Sequence, residues 1–191
     1  MFERTGSSPL GCDLPDGLLA LRAAEGDEDS FAVLVRRHSR PLLILACCML
    51  GNAQDAEEAV QDAFVSAWRR LPEYRHAAEF RTWMYRITVN RCLNTRRRRR
   101  PPLPLDAVAG TATGDERNSP ARAAEQDAVA AAMVCALGEL DAEQRVCWIL
   151  RELQGLSYKE IAHVTHTSEQ TVRGRLFRAR RSLKEEMAPW R

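Results

Sequence analysis

The stretch Ser157–Arg181, SYKEIAHVTHTSEQTVRGRLFRARR, decides how the rest of the chain is read. Ser157 followed three residues later by Glu160 has the form of a capping box, and Ile161 and Ala162 supply the apolar residues of a short helix. Val164 to Thr167 reads as a four-residue break, after which the Ser168 hydroxyl can cap a second helix. In that helix Val172, Leu176, Ala179 and Leu183 recur at steps of four, three and four, which makes one buried stripe. Arg173, Arg175, Arg178, Arg180 and Arg181 lie off it. Two short helices, a tight turn and an arginine-studded second helix describe a helix-turn-helix that inserts its second helix into a major groove. A helix merely solvated by its arginines would leave the capped helix upstream unexplained.

Working outward, the chain has 191 residues and a net charge of +2, with 45% hydrophobic residues, enough to bury one or two small cores. Its charges are unevenly placed. Asp55, Glu57, Glu58 and Asp62 form an acidic patch, while Arg96 to Arg100 is an unbroken basic run, a pattern suited to two partners of opposite charge. The longest apolar run, Leu42 to Leu50, is nine residues, against roughly 20 needed to cross a bilayer. With no secretory signal pattern at the N-terminus, a soluble, cytosolic protein without membrane insertion is expected. The six cysteines include no CxxC pair, and several fall in helical apolar patterns, so buried thiols are expected rather than disulfides. No Cys and His cluster at zinc-ligand spacing, and there is no phosphate loop, nucleophile elbow or HExxH motif. No catalytic residue, metal ligand, cofactor or small-molecule substrate is therefore expected, and an enzyme is disfavoured.

Along the chain, residues 1–15 read as a disordered extension. Helices are expected from Asp16 to Ala24 and from about Glu28 to Leu50, with Phe31, Leu34, Val35 and His38 on one side and Pro41 kinking or interrupting the second. Gly51-Asn52 breaks the chain. The next helix, Ala53 to Leu71, carries a core stripe of Ala56, Val60, Ala63, Phe64, Ala67, Trp68 and Leu71. Its other face, Asp55, Glu58, Gln61, Asp62 and Arg69, suits either plain solvation or docking on a basic partner helix. After Pro72 comes the polar loop EYRHAAE, and then a helix from Phe80 with Trp83, Met84 and Ile87 as its core face. Arg81, Tyr85, Arg86 and Arg91 point elsewhere, and Asn90 falls at the stripe's edge. A basic, aromatic-bearing helix beside a polar loop can hold an unstacked base of a single strand, although Trp83 reads as core and Asn90 equally as a buried amide. PPLPLDAVAGTATGDERNSP then reads as a flexible linker. Helices follow at about 120–137, opened by Ser119-Pro120, and 141–152, opened by Asp141 with Gln144 as its box partner. The fold class is all-α: two small helical domains, at 16–100 and 120–191, on a tether at 101–119.

Three of these segments resemble a known family in order. DAEEAVQDAFVSAW resembles the core-polymerase-binding helix of the extracytoplasmic-function (ECF) sigma factors, within the primary sigma factor family of bacterial RNA polymerase. FRTWMYRITVNRCLN resembles their minus-10 recognition helix, and GLSYKEIA with SEQTVRGRLFRAR their minus-35 motif. The likeness spans about residues 16–187 and gives the two domains as sigma domain 2 and sigma domain 4. It implies that Asp55, Glu58, Gln61, Asp62 and Phe64 dock on the beta-prime clamp helices of core polymerase, with domain 4 on the beta flap. Tyr74, Arg75, His76, Phe80, Arg81, Tyr85, Asn90 and Arg91 would take the minus-10 strand. Ser168, Glu169, Gln170, Thr171, Arg173, Arg175 and Arg178 would face the minus-35 duplex. The linker would thread toward the active-site cleft, and Arg96 to Arg100 would lie near promoter phosphates. An anti-sigma factor is the further partner implied, and the nucleoid the place of action within the holoenzyme.

The sequence departs from that family at His166, where a left-handed glycine is usual, and at Gln170 and Gly174, which replace a common glycine and serine. Gly174 suggests close backbone approach to DNA. The rival readings are a dimeric helix-turn-helix operator-binding regulator and a protein-only interaction module. Each leaves part of the chain without a task.

Overall fold

The computed structural model describes residues 14–74, 78–98 and 132–188, and no strand occurs among them. The N-terminal domain is built from α1 (Asp16–Ala24), α2 (Glu28–Leu50), α3 (Ala53–Arg70) and α4 (Phe80–Arg98), with a 3-10 turn at Leu71–Glu73. The C-terminal domain comprises α5, helical over 132–139, α6 (Ala142–Trp148) with a π-helical continuation Ile149–Leu153, α7 (Tyr158–Thr165) and α8 (Glu169–Glu186). The expectations for most of the N-terminal extension, the loop residues Arg75 and His76, Arg99 and Arg100, the linker and the Ser119-Pro120 cap lie outside the described residues.

Local chemistry sets the boundaries. Asp27 caps α2 by accepting from the Ser30 amide at 3.2 Å, and Gly51 ends it at φ 69°, its N–H returning to the Cys47 carbonyl. Asn52 then caps α3 through the Asp55 amide at 3.0 Å. Of the two outcomes expected at Pro41, interruption does not occur, and α2 is one helix from Glu28 to Leu50. A proline inside a helix costs about 3 kcal/mol, but Val33, Leu34 and His38 before it and Leu42, Leu45 and Ala46 after it are all buried. A continuous helix keeps both halves of that stripe in the core, and their burial offsets the lost backbone bond. Asp16 fastens α1 to α2, taking Arg37 at 2.6 Å and the His38 ring at 2.7 Å.

The stripe of α3 is buried as expected, with Ala59 added and Trp68 only partly covered. In α4, Phe80 and Trp83 pack with Tyr74 of the preceding loop at ring separations of 6.1 and 4.8 Å. In the C-terminal domain the Asp141 side chain accepts no backbone N–H at the start of α6. Gln144 instead donates to its carboxylate at 2.9 Å, so the expected capping box is a side-chain pair only.

The two domains pack together. Leu150, Leu156, Ile161 and Val164 join α2, α3 and α4 in one apolar cluster, while Ala179 and Leu183 form a second with Leu137 and Leu140. Arg145, only 5% exposed, reaches from α6 to the Met49 carbonyl at the end of α2 at 3.1 Å. The same guanidinium holds the Gly138 and Leu140 carbonyls. Burial brings it down to about 10, so it remains charged at neutral pH, where a cation complements a helix C-terminus.

Candidate nucleic-acid and polymerase interfaces

The helix-turn-helix forms as the sequence implies, with a shorter turn. The capping box closes in both directions: Glu160 N–H donates to Ser157 Oγ at 3.2 Å, and Ser157 N–H to Glu160 Oε2 at 2.7 Å. Val164 and Thr165 belong to α7, so the break reduces to His166 and Thr167. His166 takes the left-handed conformation at φ 52°, ψ 44°, a region that histidine enters more readily than branched residues. Ser168 then caps α8 through the Thr171 amide at 3.1 Å.

Val172, Leu176, Ala179 and Leu183 are buried, which turns Ser168, Glu169, Gln170, Thr171, Arg173 and Arg178 outward. Arg175 differs. It is paired with Glu143 of α6, its side chain 13% exposed. Arg180 is likewise held, by Glu152 at 2.7 Å, and Arg173 lies over the Tyr158 ring at 5.5 Å. The outward basic surface of α8 near its start is thus Arg173 and Arg178. Gly174 has room for a side chain on that surface, since a Cβ there would meet only Arg178 Nη1, in ordinary contact at 3.7 Å.

On α4 the residues assigned to a single strand separate into two groups. Arg81, Asn90 and Arg91 remain accessible, and Asn90 is exposed, not a buried amide. Phe80 is core. Tyr74 is half-buried, its hydroxyl donating to the Ala78 carbonyl at 2.5 Å. Tyr85, expected off the core face, is only 2% exposed and belongs to the buried cluster, its hydroxyl donating to Gln154 Oε1 of the C-terminal domain at 2.7 Å. Asn90 and Arg91 line a polar cleft of about 480 Å³ with Arg70, Arg86, Asn94 and His166 of the turn. Arg91 donates to Ser66 at 2.6 Å and lies 3.7 Å from Asp62.

Glu58, Gln61 and Asp62 are exposed on α3, with Asp55 partly covered beside its Asn52 cap. Between α2 and α3 runs an apolar groove of about 830 Å³, lined among others by Phe31, Val35, Leu43, Phe64 and Trp68. Phe64, 8% exposed, belongs to the groove floor, and Gln61 and Glu57 to its margin.

A sigma-70 region 2 family model matches residues 34–101, and a sigma-70 region 4 model matches 130–183. The chain is 36% identical to the RNA polymerase sigma-H factor of Pseudomonas aeruginosa, over 91% of this chain and 94% of that one. It is 32% identical to the ECF RNA polymerase sigma-E factor of Escherichia coli K12, over 92% and 96%. The chain is an ECF sigma factor.

This sigma factor also resembles CnrH, solved in complex with the cytosolic domain of CnrY, at 30% identity and a TM-score of 0.70. That likeness covers 91% of this chain and 97% of CnrH. RpoE of Bartonella quintana, solved with the anti-sigma factor NepR, shares the fold at 20% identity and a TM-score of 0.67, over 83% and 96%. No helix among the described residues of the sigma factor is long and apolar enough to cross a membrane, and none of its described His, Cys, Asp and Glu residues group as a metal site.

Sequence reasoning missed the residues that join the two domains. Gln154 gives no periodic signal, standing at a helix end before Gly155. Arg145 reads as one more surface arginine. Glu160 is legible as a cap but not as a partner of Thr82 and Arg81, from which it lies 3.5 and 3.7 Å.

Proposed function

We propose that the sigma factor binds core RNA polymerase and directs it to promoters through two DNA elements, as a non-enzymatic initiation factor in the cytoplasm and on the nucleoid. The observation that carries this reading is the presence of three chemically distinct surfaces on one chain. They are an apolar groove between α2 and α3 beside the exposed acidic face of α3, a basic cleft beside α4, and an outward cationic helix α8. An operator-binding regulator needs only the last.

In this reading Asp55, Glu58, Gln61 and Asp62 meet the beta-prime clamp helices, with Phe64 and the groove receiving apolar side chains. Carboxylates around an apolar strip favour a basic amphipathic helix, giving orientation as well as affinity. Domain 4 rests on the beta flap. Tyr74, Arg75, His76, Phe80, Arg81, Tyr85, Asn90 and Arg91 form the minus-10 region, where Phe80 acts by positioning. Arg173, Arg178 and Thr171 approach the minus-35 duplex with the α8 N-terminus, whose free amides suit phosphate. Arg175 reaches DNA only after leaving Glu143. The domains are taken to run over 16–100 and 120–191, with the linker at 101–119 between them. An anti-sigma factor is the natural inhibitor, in line with the complex described for the Bartonella protein.

Binding of the labelled chain to purified core polymerase tests the α3 assignment. Glu58→Lys with Asp62→Lys is expected to weaken association at least tenfold at low salt while leaving the fold intact by circular dichroism. Unchanged affinity would remove α3 from the interface.

A further inference from the structure

Tyr158 opens α7 directly after Ser157, so the capping box fixes where its ring projects. Two guanidiniums lie over that ring. Arg151 of the π-helical stretch stands 5.0 Å from its centroid, and Arg173 of α8 stands 5.5 Å away. Both separations fall inside the roughly 6 Å within which a cation gains from the negative face of an aromatic ring. Arg151 is itself tied down, donating to the Leu156 carbonyl at 2.8 Å. The ring is half-buried, and Arg180 is held chiefly by Glu152 at 2.7 Å, with Tyr158 as a lesser partner. One aromatic side chain thus gathers arginines from α8 and from the helix before the helix-turn-helix.

The manner of holding separates Arg173 from its neighbours on α8. Arg175, Arg180 and Arg181 are each paired with a carboxylate, of Glu143, Glu152 and Glu185. A carboxylate fixes a guanidinium by cancelling its charge and occupying its donors. Among the described residues no carboxylate pairs with Arg173, which stays exposed. A ring fixes a guanidinium in place while leaving its charge and its N–H donors available.

We propose that Tyr158 is a positioning residue for minus-35 recognition, its ring presenting the Arg173 guanidinium to the duplex ordered but not neutralised. The inference rests on the reading of α8 given above. A free arginine gives up its rotamer freedom when it binds, whereas one already stacked has lost part of it on folding. The planar fork then meets paired acceptors, of a guanine edge or a phosphate, at less entropic cost.

The test uses the full chain in holoenzyme with purified bacterial core polymerase. The probe is a fluorescein-labelled pool of genomic duplex fragments that the parent holoenzyme retains. Tyr158→Leu keeps an apolar side chain but loses the ring face, and is expected to bind the pool about threefold to fivefold more weakly. Tyr158→Phe restores the ring and should bind as the parent does. In an Arg173→Ala background, Tyr158→Leu should cost nothing further, because the group it positions is gone. Equal binding by Tyr158→Leu and the parent would overturn the proposal, as would a Phe variant as weak as the Leu one. The same loss repeated in the Arg173→Ala background would also overturn it, since a damaged fold weakens both backgrounds alike. Arg173→Ala binding as tightly as the parent would instead remove the reading of α8, and the proposal with it.

Discussion

Gly174 illustrates how a single residue separates folding from recognition. Glycine inside a helix costs about 1 kcal/mol relative to alanine, and here a Cβ would meet only Arg178 Nη1 at 3.7 Å. Nothing in the folded chain needs the missing side chain. Gly174→Ala is therefore expected to raise stability by about 1 kcal/mol in urea denaturation while weakening binding to minus-35 duplex, on the proposal that the backbone there comes close to DNA. A variant with unchanged stability would refute the packing argument, and one with full DNA affinity would refute the contact. The cysteines make a simpler case. Burial pushes the Cys92 thiol up to about 12 and Cys48 to about 11, which fits inert core thiols, whereas Cys135 is exposed.

At the scale of elements, the capping box of α7 predicts a pH dependence. Hydrogen bonding from Ser157, reinforced by Arg81 and Thr82, holds the Glu160 carboxyl below its ordinary value of 4.5 despite partial burial. Because the folded state depresses this acid, its contribution is fully present above 4.5 and is lost as the pH falls through the lower folded value. Glu160→Gln keeps a capping box but loses the charge. The parent is expected to melt above this variant at neutral pH, and the gap to close in acid below the usual glutamate range. A gap that persisted in acid would contradict the charge-based account.

Elements of this kind were legible in the sequence because they are local. The Ser157 to Glu160 box, the break at Gly51-Asn52 and the four-three-four steps of α8 each act within about one turn. Interruption at Pro41 does not follow because the proline's cost is local while its compensation, the buried residues on either side, is tertiary. The turn was read two residues too long because Val164 and Thr165 stay helical, with Val164 buried in the core. The candidate surfaces on α3 and α8 could be drawn from periodicity, but the fates of Arg175 and Tyr85 could not. Each is decided by a partner distant in sequence, Glu143 or Gln154.

For the whole molecule, Arg145 is a buried link between the two domains. It holds carbonyls of α2, Gly138 and Leu140 while almost wholly removed from water. Arg145→Met preserves much of the apolar stem but leaves those carbonyls unpaired, so a loss of about 3 kcal/mol or more is expected in urea denaturation. A change within about 0.5 kcal/mol, the range of ordinary surface substitutions, would show that the domains do not need this link. The same architecture frames the function. Two small DNA-facing domains on one chain gain affinity together only when a third body sets their spacing, and core polymerase is the body proposed for that role.

The most direct test is therefore promoter-dependent transcription, reconstituted from purified bacterial core polymerase, this chain and a library of genomic fragments. Core enzyme alone should be silent, and adding the chain should start transcripts at discrete sites that share two spaced sequence elements. A folded chain that bound duplex DNA without core, yet started no transcripts with it, would contradict the account and favour an operator-binding regulator.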